Sequence, residues 1–160
     1  MKLKKWIPAL VLLVVATGVL LWGWYYKGFP TDISSTVVSP FPEGVTMELD
    51  ATDRQSTILV SNVETMEPEY YIHHVTEIDG YDMFVEQKAE DGQWMTLARG
   101  KFPLSRTASP PLRIPFGENR IMVDWRNAYG TLKSGEYRLI IRLYSENGAC
   151  DTVAIPFSIS

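Results

Sequence analysis

From Tyr137 to Tyr144 the apolar residues Tyr137, Leu139, Ile141 and Leu143 alternate with Arg138, Arg142 and Tyr144. Successive side chains of a strand point to opposite faces of its sheet, so this period of two predicts a strand with one buried face. The same pattern recurs along the chain. Val45, Met47 and Leu49 alternate with Thr46, Glu48 and Asp50, and Ser56 to Asn62 is a short apolar strand. Tyr70 to Thr76 and Met83 to Lys88 are β-rich. Glu90-Asp91-Gly92 then makes a hairpin turn into a return arm, Gln93 to Arg99, that places Trp94 in the core. Arg120 to Trp125 alternates through Ile121, Val123 and Trp125, and Thr152 to Ile159 puts Val153, Ile155, Phe157 and Ile159 on one face. After Tyr26 no segment has a helical period, and residues 127–132 have room for a single turn. About seven short strands separated by turns predict an all-β fold, a β-sandwich over residues 43–160.

One strand entrance is distinctive. Lys133-Ser134-Gly135 reads as a turn in which Gly135 is free to adopt positive φ, and Tyr137 follows two residues later. A sandwich places its tyrosine corner at such a point, with the ring in the core and the hydroxyl bonded to backbone. An ordinary amphipathic strand with an aromatic start is the alternative.

The first 42 residues do not follow the strand pattern. Lys2, Lys4 and Lys5 precede an uncharged run from Trp6 to Tyr26 rich in Leu, Val and Ala. A run of about 20 such residues spans a bilayer core of roughly 30 Å. Trp6 at one end and Trp22, Trp24, Tyr25 and Tyr26 at the other resemble interfacial aromatic belts. Residues 1–26 are therefore expected to be a cytoplasmic stub and transmembrane signal anchor, with the C-terminal domain extracytoplasmic. A cleaved signal peptide is the competing reading, but Ala16-Thr17-Gly18 is a poor cleavage site with apolar sequence beyond it. Residues 27–42 carry Pro30, Pro40 and Pro42 among Ser and Thr. They read as an extended stalk reaching on the order of 50 Å at ~3.1 Å per residue.

Three glycines and several aromatics carry a resemblance. Gly92-x-Trp94, followed by Asp124-Trp125-x-x-x-Tyr129-Gly130-x-Leu132-x-x-Gly135-Glu136-Tyr137-Arg138, resembles the bacterial immunoglobulin-like (Big) domains of many short extracytoplasmic proteins. The likeness covers residues 45–160 and is stronger in the second half. One departure is Phe116-Gly117-Glu118, where those domains usually carry a Pro-Gly turn. The resemblance implies an immunoglobulin-like β-sandwich of about seven strands and a surface location, but no reaction. The residues it marks are structural: Trp94, Trp125, Tyr129, Gly130, Gly135 and Tyr137, with Trp125 and Tyr129 in the core.

Charge narrows the partners. Acids outnumber bases 19 to 15, and without Lys2, Lys4, Lys5 and Lys27 the balance is 19 to 11, a net of −8. That argues against nucleic acid. Residues 28–92 hold 14 acids against 2 bases, and residues 93–160 hold 5 against 9. The two halves are expected to pair within one sandwich; the alternative is a polarised surface that leans on a partner, anionic lipid or wall polymer. Cys150 is the only cysteine, which rules out an intramolecular disulfide; it reads as a small buried hydrophobe.

Catalytic chemistry finds little support. His73 and His74 are adjacent, so in a strand they face opposite sides and cannot chelate one metal together. No G-x-S-x-G elbow is present, and Asp79-Gly80-Tyr81-Asp82 falls short of a calcium loop. The expected function is a non-enzymatic binding or structural module at the cell surface, with no cofactor and no metal. Its partner would be a protein or the cell wall, met by exposed aromatics such as Tyr70, Tyr71 or Tyr81. The alternatives are a small hydrolase or metal-dependent enzyme using His73 or His74, and a protease-inhibitor-like domain.

Overall fold

The computed structural model describes residues 12–15, 17, 28–51, 55–62, 70–73, 82–99, 110–114 and 116–160. The strands are β1 (Pro30–Ile33), β2 (Val45–Ala51), β3 (Gln55–Asn62), β4 (Tyr70–Ile72), β5 (Met83–Lys88), β6 (Trp94–Leu97), β7 (Leu112–Arg113), β8 (Gly117–Asp124), β9 (Gly135–Ser145) and β10 (Cys150–Ile159). One helical turn, α1 (Arg126–Tyr129), joins β8 to β9. The fold is all-β. Among the described residues seven strands form one sheet in the order β1-β6-β5-β9-β4-β7, with β10 on the other side of β9. The second sheet is β2-β3-β8.

Alternation explains how the sheets meet. Tyr137, Leu139, Ile141 and Leu143 of β9 are all buried, as are Val153 and Ile155 of β10. They join Val45, Met47, Ile58, Val60 and Val123 from the smaller sheet in one core. Trp125 is fully buried and stacks on Phe157 at 5.2 Å, and Phe157 stacks on Tyr137 at 5.5 Å. These rings fill the space where β8 crosses to β9. The crossing is tight. The Asp124 carboxylate accepts the Arg126 N–H at 2.9 Å and holds the Arg126 guanidinium as well, and Gly130 ends the turn at φ 73°.

Tyr137 is buried and its hydroxyl donates to the Lys133 carbonyl at 2.8 Å, across the turn that enters β9. Gly135 sits at φ 158°, a positive angle that a residue with a side chain rarely adopts, as the turn was expected to need. Tyr129 is buried from the other side. Its hydroxyl accepts the Val85 N–H at 3.2 Å, next to Glu86, the first residue of β5 paired to β6.

Four sequence expectations are corrected. Residues 28–42 are not a free stalk. The Gly28 N–H donates to Ala98, the Ala98 N–H to Phe29, and β1 then adds to the edge of the large sheet beside β6. Ser34 and Ser39 continue the attachment through Trp94 and Thr152 carbonyls. Proline is tolerated at a sheet edge because only one side of the strand must be hydrogen-bonded, which is how Pro30 starts β1. Trp94 is not a core residue: it is half-buried, on the outer face of the large sheet. Cys150 is exposed, not buried. Tyr70 is a core residue, not an exposed binding aromatic.

Most of the expected span 6–26 lies outside the described residues. Residues 12–15 and 17 are helical and exposed, and the Thr17 hydroxyl donates to the Leu13 carbonyl at 2.6 Å. Among the described residues no helix is long and apolar enough to cross a membrane.

Candidate binding face

The outer face of the large sheet carries most of the charged chemistry, arranged in rows by strand register. Residues directly opposite one another on paired strands share a face and touch. The lowest row is Trp94, Lys88 and Glu136, with a Lys88–Glu136 salt bridge of 2.7 Å. Above it lies Thr96, Glu86, Arg138 and Pro156. Next come Phe84, Ile140 and Ala154, and then Asp82, Arg142 and Thr152. The top row is Arg113, Tyr71, Tyr144 and Cys150.

Glu86 is the most deeply buried charge of this face, with no exposure. A lone carboxylate there would be untenable, since desolvation costs several kcal/mol. Four donors converge on it. Arg138 donates from Nε at 2.7 Å and from its terminal nitrogen at 2.6 Å, both to one oxygen. The Thr36 hydroxyl donates to the other at 2.7 Å, and the Ser34 hydroxyl joins it there. Arg138 in turn lies over the Trp94 ring at 4.5 Å, a cation–π contact that orients the guanidinium. The segment carrying Ser34 and Thr36 therefore straps the face down. It runs on to Thr152 of β10, and Phe84 and Ile140 between these anchor points are buried although they point outward.

Asp82 is the second buried carboxylate, 2% exposed. Arg142 donates to one oxygen at 3.1 Å and the Tyr144 hydroxyl to the other at 2.8 Å. Burial, followed by the hydrogen bond to Asp82, pushes the Tyr144 phenol up to about 12, so it stays a donor at any ordinary pH. His73 meets the Tyr144 ring edge-on at 4.3 Å, and its carbonyl accepts the Asp82 N–H at 2.9 Å. Tyr71 donates to Glu146 at 3.1 Å. Arg99 and Arg142 each stand 5.5 Å from the Phe84 ring.

Asp82 and Glu86 belong to the acidic half of the chain, Arg138 and Arg142 to the basic half. The charge asymmetry is thus spent in part on pairs within the sheet. Among the described residues, the top of the face presents Tyr71, His73, Arg113, Arg142 and Tyr144, with the exposed Glu146 bonded to Tyr71. A buried carboxylate beneath it fixes Arg142 and Tyr144 in place.

The other candidates fare differently. His74, Tyr81 and the Asp79-Gly80 segment lie outside the described residues. His73 is exposed, and among the described residues no group of three His, Cys, Asp or Glu side chains could hold a metal. A shallow hollow of about 470 Å³ at the β5–β6 turn, lined by Lys88, Glu90, Asp91 and Glu136, is at the far end of the sheet from Tyr144. Trp125, Tyr129, Tyr137, Gly130 and Gly135 cluster around the β8–β9 crossing and serve the core, away from this face.

Sequence read Arg138, Arg142 and Tyr144 only as outward strand positions and Asp82 only as part of an incomplete calcium loop, and it did not bring them together with Glu86. A signal for them existed: Asp82 and Glu86 are four apart, as are Arg138 and Arg142. Equal even spacings in two adjacent antiparallel strands bring both pairs into register on one face. No family model matches the chain, and no curated protein matches it.

Proposed function

We propose that the chain is a membrane-anchored, extracytoplasmic immunoglobulin-like module with a non-enzymatic binding role at the cell surface. The observation that carries the binding role is the top of the outer face. Tyrosine and arginine dominate binding hot spots, because they combine large contact area with directional donors. Here Tyr71, Tyr144 and Arg142 are held by Asp82 and Glu146, so little side-chain freedom is lost on binding.

Strand order supports the immunoglobulin-like reading. The sheets β2-β3-β8 and β6-β5-β9-β10 follow the two-sheet division of that fold, and Tyr137 bonds back across the corner between β8 and β9. Relationship to the bacterial immunoglobulin-like domains rests on the Asp124-to-Arg138 motif. The anchor reading rests on the lysines and apolar run of residues 2–26.

The test is site-specific photocrosslinking of the full chain in intact cells. A photoreactive residue at Tyr71 should give adducts that one at Glu48, exposed on the smaller sheet, does not. Equal labelling at both, or none at Tyr71, overturns the assignment of the face. A C-terminal tag protected from protease added outside overturns the topology.

A further inference from the structure

We propose that the top of the outer face, carrying Arg113, Tyr71, Tyr144 and Arg142, docks on the anionic phospholipid headgroups of the membrane that holds residues 6–26. The inference names the partner of the face described above and rests on the anchor reading of those residues.

The first observation is the length of the tether. One residue, Lys27, separates the end of the apolar run at Tyr26 from Gly28, whose N–H is already bonded to Ala98. At ~3.5 Å per residue, the β1–β6 edge starts within on the order of 10 Å of the headgroups. A sandwich held that closely meets the bilayer surface.

Strand direction decides which end meets it. β1 is antiparallel to β6, β6 to β5, and β5 to β9. Followed backwards from Pro30, the chain therefore heads the way β9 runs, from Leu139 towards Ser145. That is the end bearing the Arg113–Tyr71–Tyr144 row. The Lys88–Glu136 row lies at the other end.

Chemistry is the third. Arginine pairs with phosphate through a planar fork of donors, and tyrosine favours the headgroup level, where its ring and hydroxyl face different media. Arg113 and Arg142 supply the cations. Asp82, the carboxylate beneath them, is buried and engaged by Arg142 and Tyr144, and Glu146 accepts from Tyr71.

Cys150 provides the probe, being exposed, in the same row, and the only cysteine. The full chain, labelled there with a fluorophore, is reconstituted into phosphatidylcholine vesicles with or without phosphatidylglycerol, each carrying a headgroup-attached quencher. Strong quenching is expected with phosphatidylglycerol, and salt should weaken it over the range where screening sets in. Arg113→Gln should weaken docking about fivefold, the effect of one basic residue at an anionic surface, and Arg113→Lys should restore most of it. Quenching that is the same in both vesicles and indifferent to salt and to Arg113→Gln overturns headgroup recognition. Absence of quenching in protein that floats with the vesicles also overturns docking, while leaving the anchor intact. Protein that does not float with vesicles removes the anchor and the proposal together.

Discussion

Arg138 and Glu86 face each other across β9 and β5, two nitrogens of the guanidinium on one oxygen of a carboxylate that has no exposure. Removing one partner of such a pair leaves a buried charge without compensation, at a cost of about 3–5 kcal/mol. Arg138→Met should show that loss in denaturant unfolding of the full chain. Glu86→Gln combined with Arg138→Met should lose less than the sum of the single changes. Additive losses would mean that the two side chains are not coupled.

The Tyr144 phenol titrates near 12 in the folded chain, against about 10 when unfolded. The folded state then holds the proton more tightly, so this group's contribution is complete below pH ~10 and is lost as pH rises through ~12. Unfolding measured across that range should fall less steeply in Tyr144→Phe than in the parent. Equal slopes would mean that Tyr144 is not the group bonded to Asp82.

Loss of the Tyr137 hydroxyl tests the corner. Tyr137→Phe keeps the ring but leaves the Lys133 carbonyl without its donor, for about 1–3 kcal/mol. Trp125→Ala empties the stack on Phe157 and should cost about 3–5 kcal/mol. The ordering is the test, read by thermal unfolding. A Tyr137→Phe variant as stable as the parent would contradict it.

Gly28 stands at φ 75°, and a Cβ there would come within 2.6 Å of the Tyr129 carbonyl oxygen. Gly28→Ala should therefore detach the entrance to β1, because neither the backbone angle nor the backbone neighbour can accept a side chain. Limited proteolysis should cut faster within residues 28–42 of this variant. An unchanged cleavage pattern would show that the strap is held from Ser34 onwards alone.

His73 contributes one edge-on ring contact to Tyr144. His73→Ala should lower stability by about 0.5–1.5 kcal/mol, read by thermal unfolding. Stoichiometric metal in the purified parent, lost in this variant, would restore the enzymatic reading.

Alternation alone determined which side chains of β2, β9 and β10 could face a core, since a strand's period is local and needs no partner to be read. The aromatic content of the β8–β9 crossing was legible for a related reason: Trp125, Tyr129 and Tyr137 lie within thirteen residues of one another along the chain. What surrounds a strand's other face is not local. Residues 28–42 have no strand period, yet they bond to Ala98, Trp94 and Thr152, far away in sequence, and become a strap. Trp94 follows its turn as expected, but which sheet face it occupies depends on register with Lys88 and on Arg138. Cys150 is exposed because its partner in register is Tyr144, an outward residue. Backbone pairing between distant segments made these decisions. It is indifferent to side-chain pattern along either segment, and so only the tertiary structure could settle them.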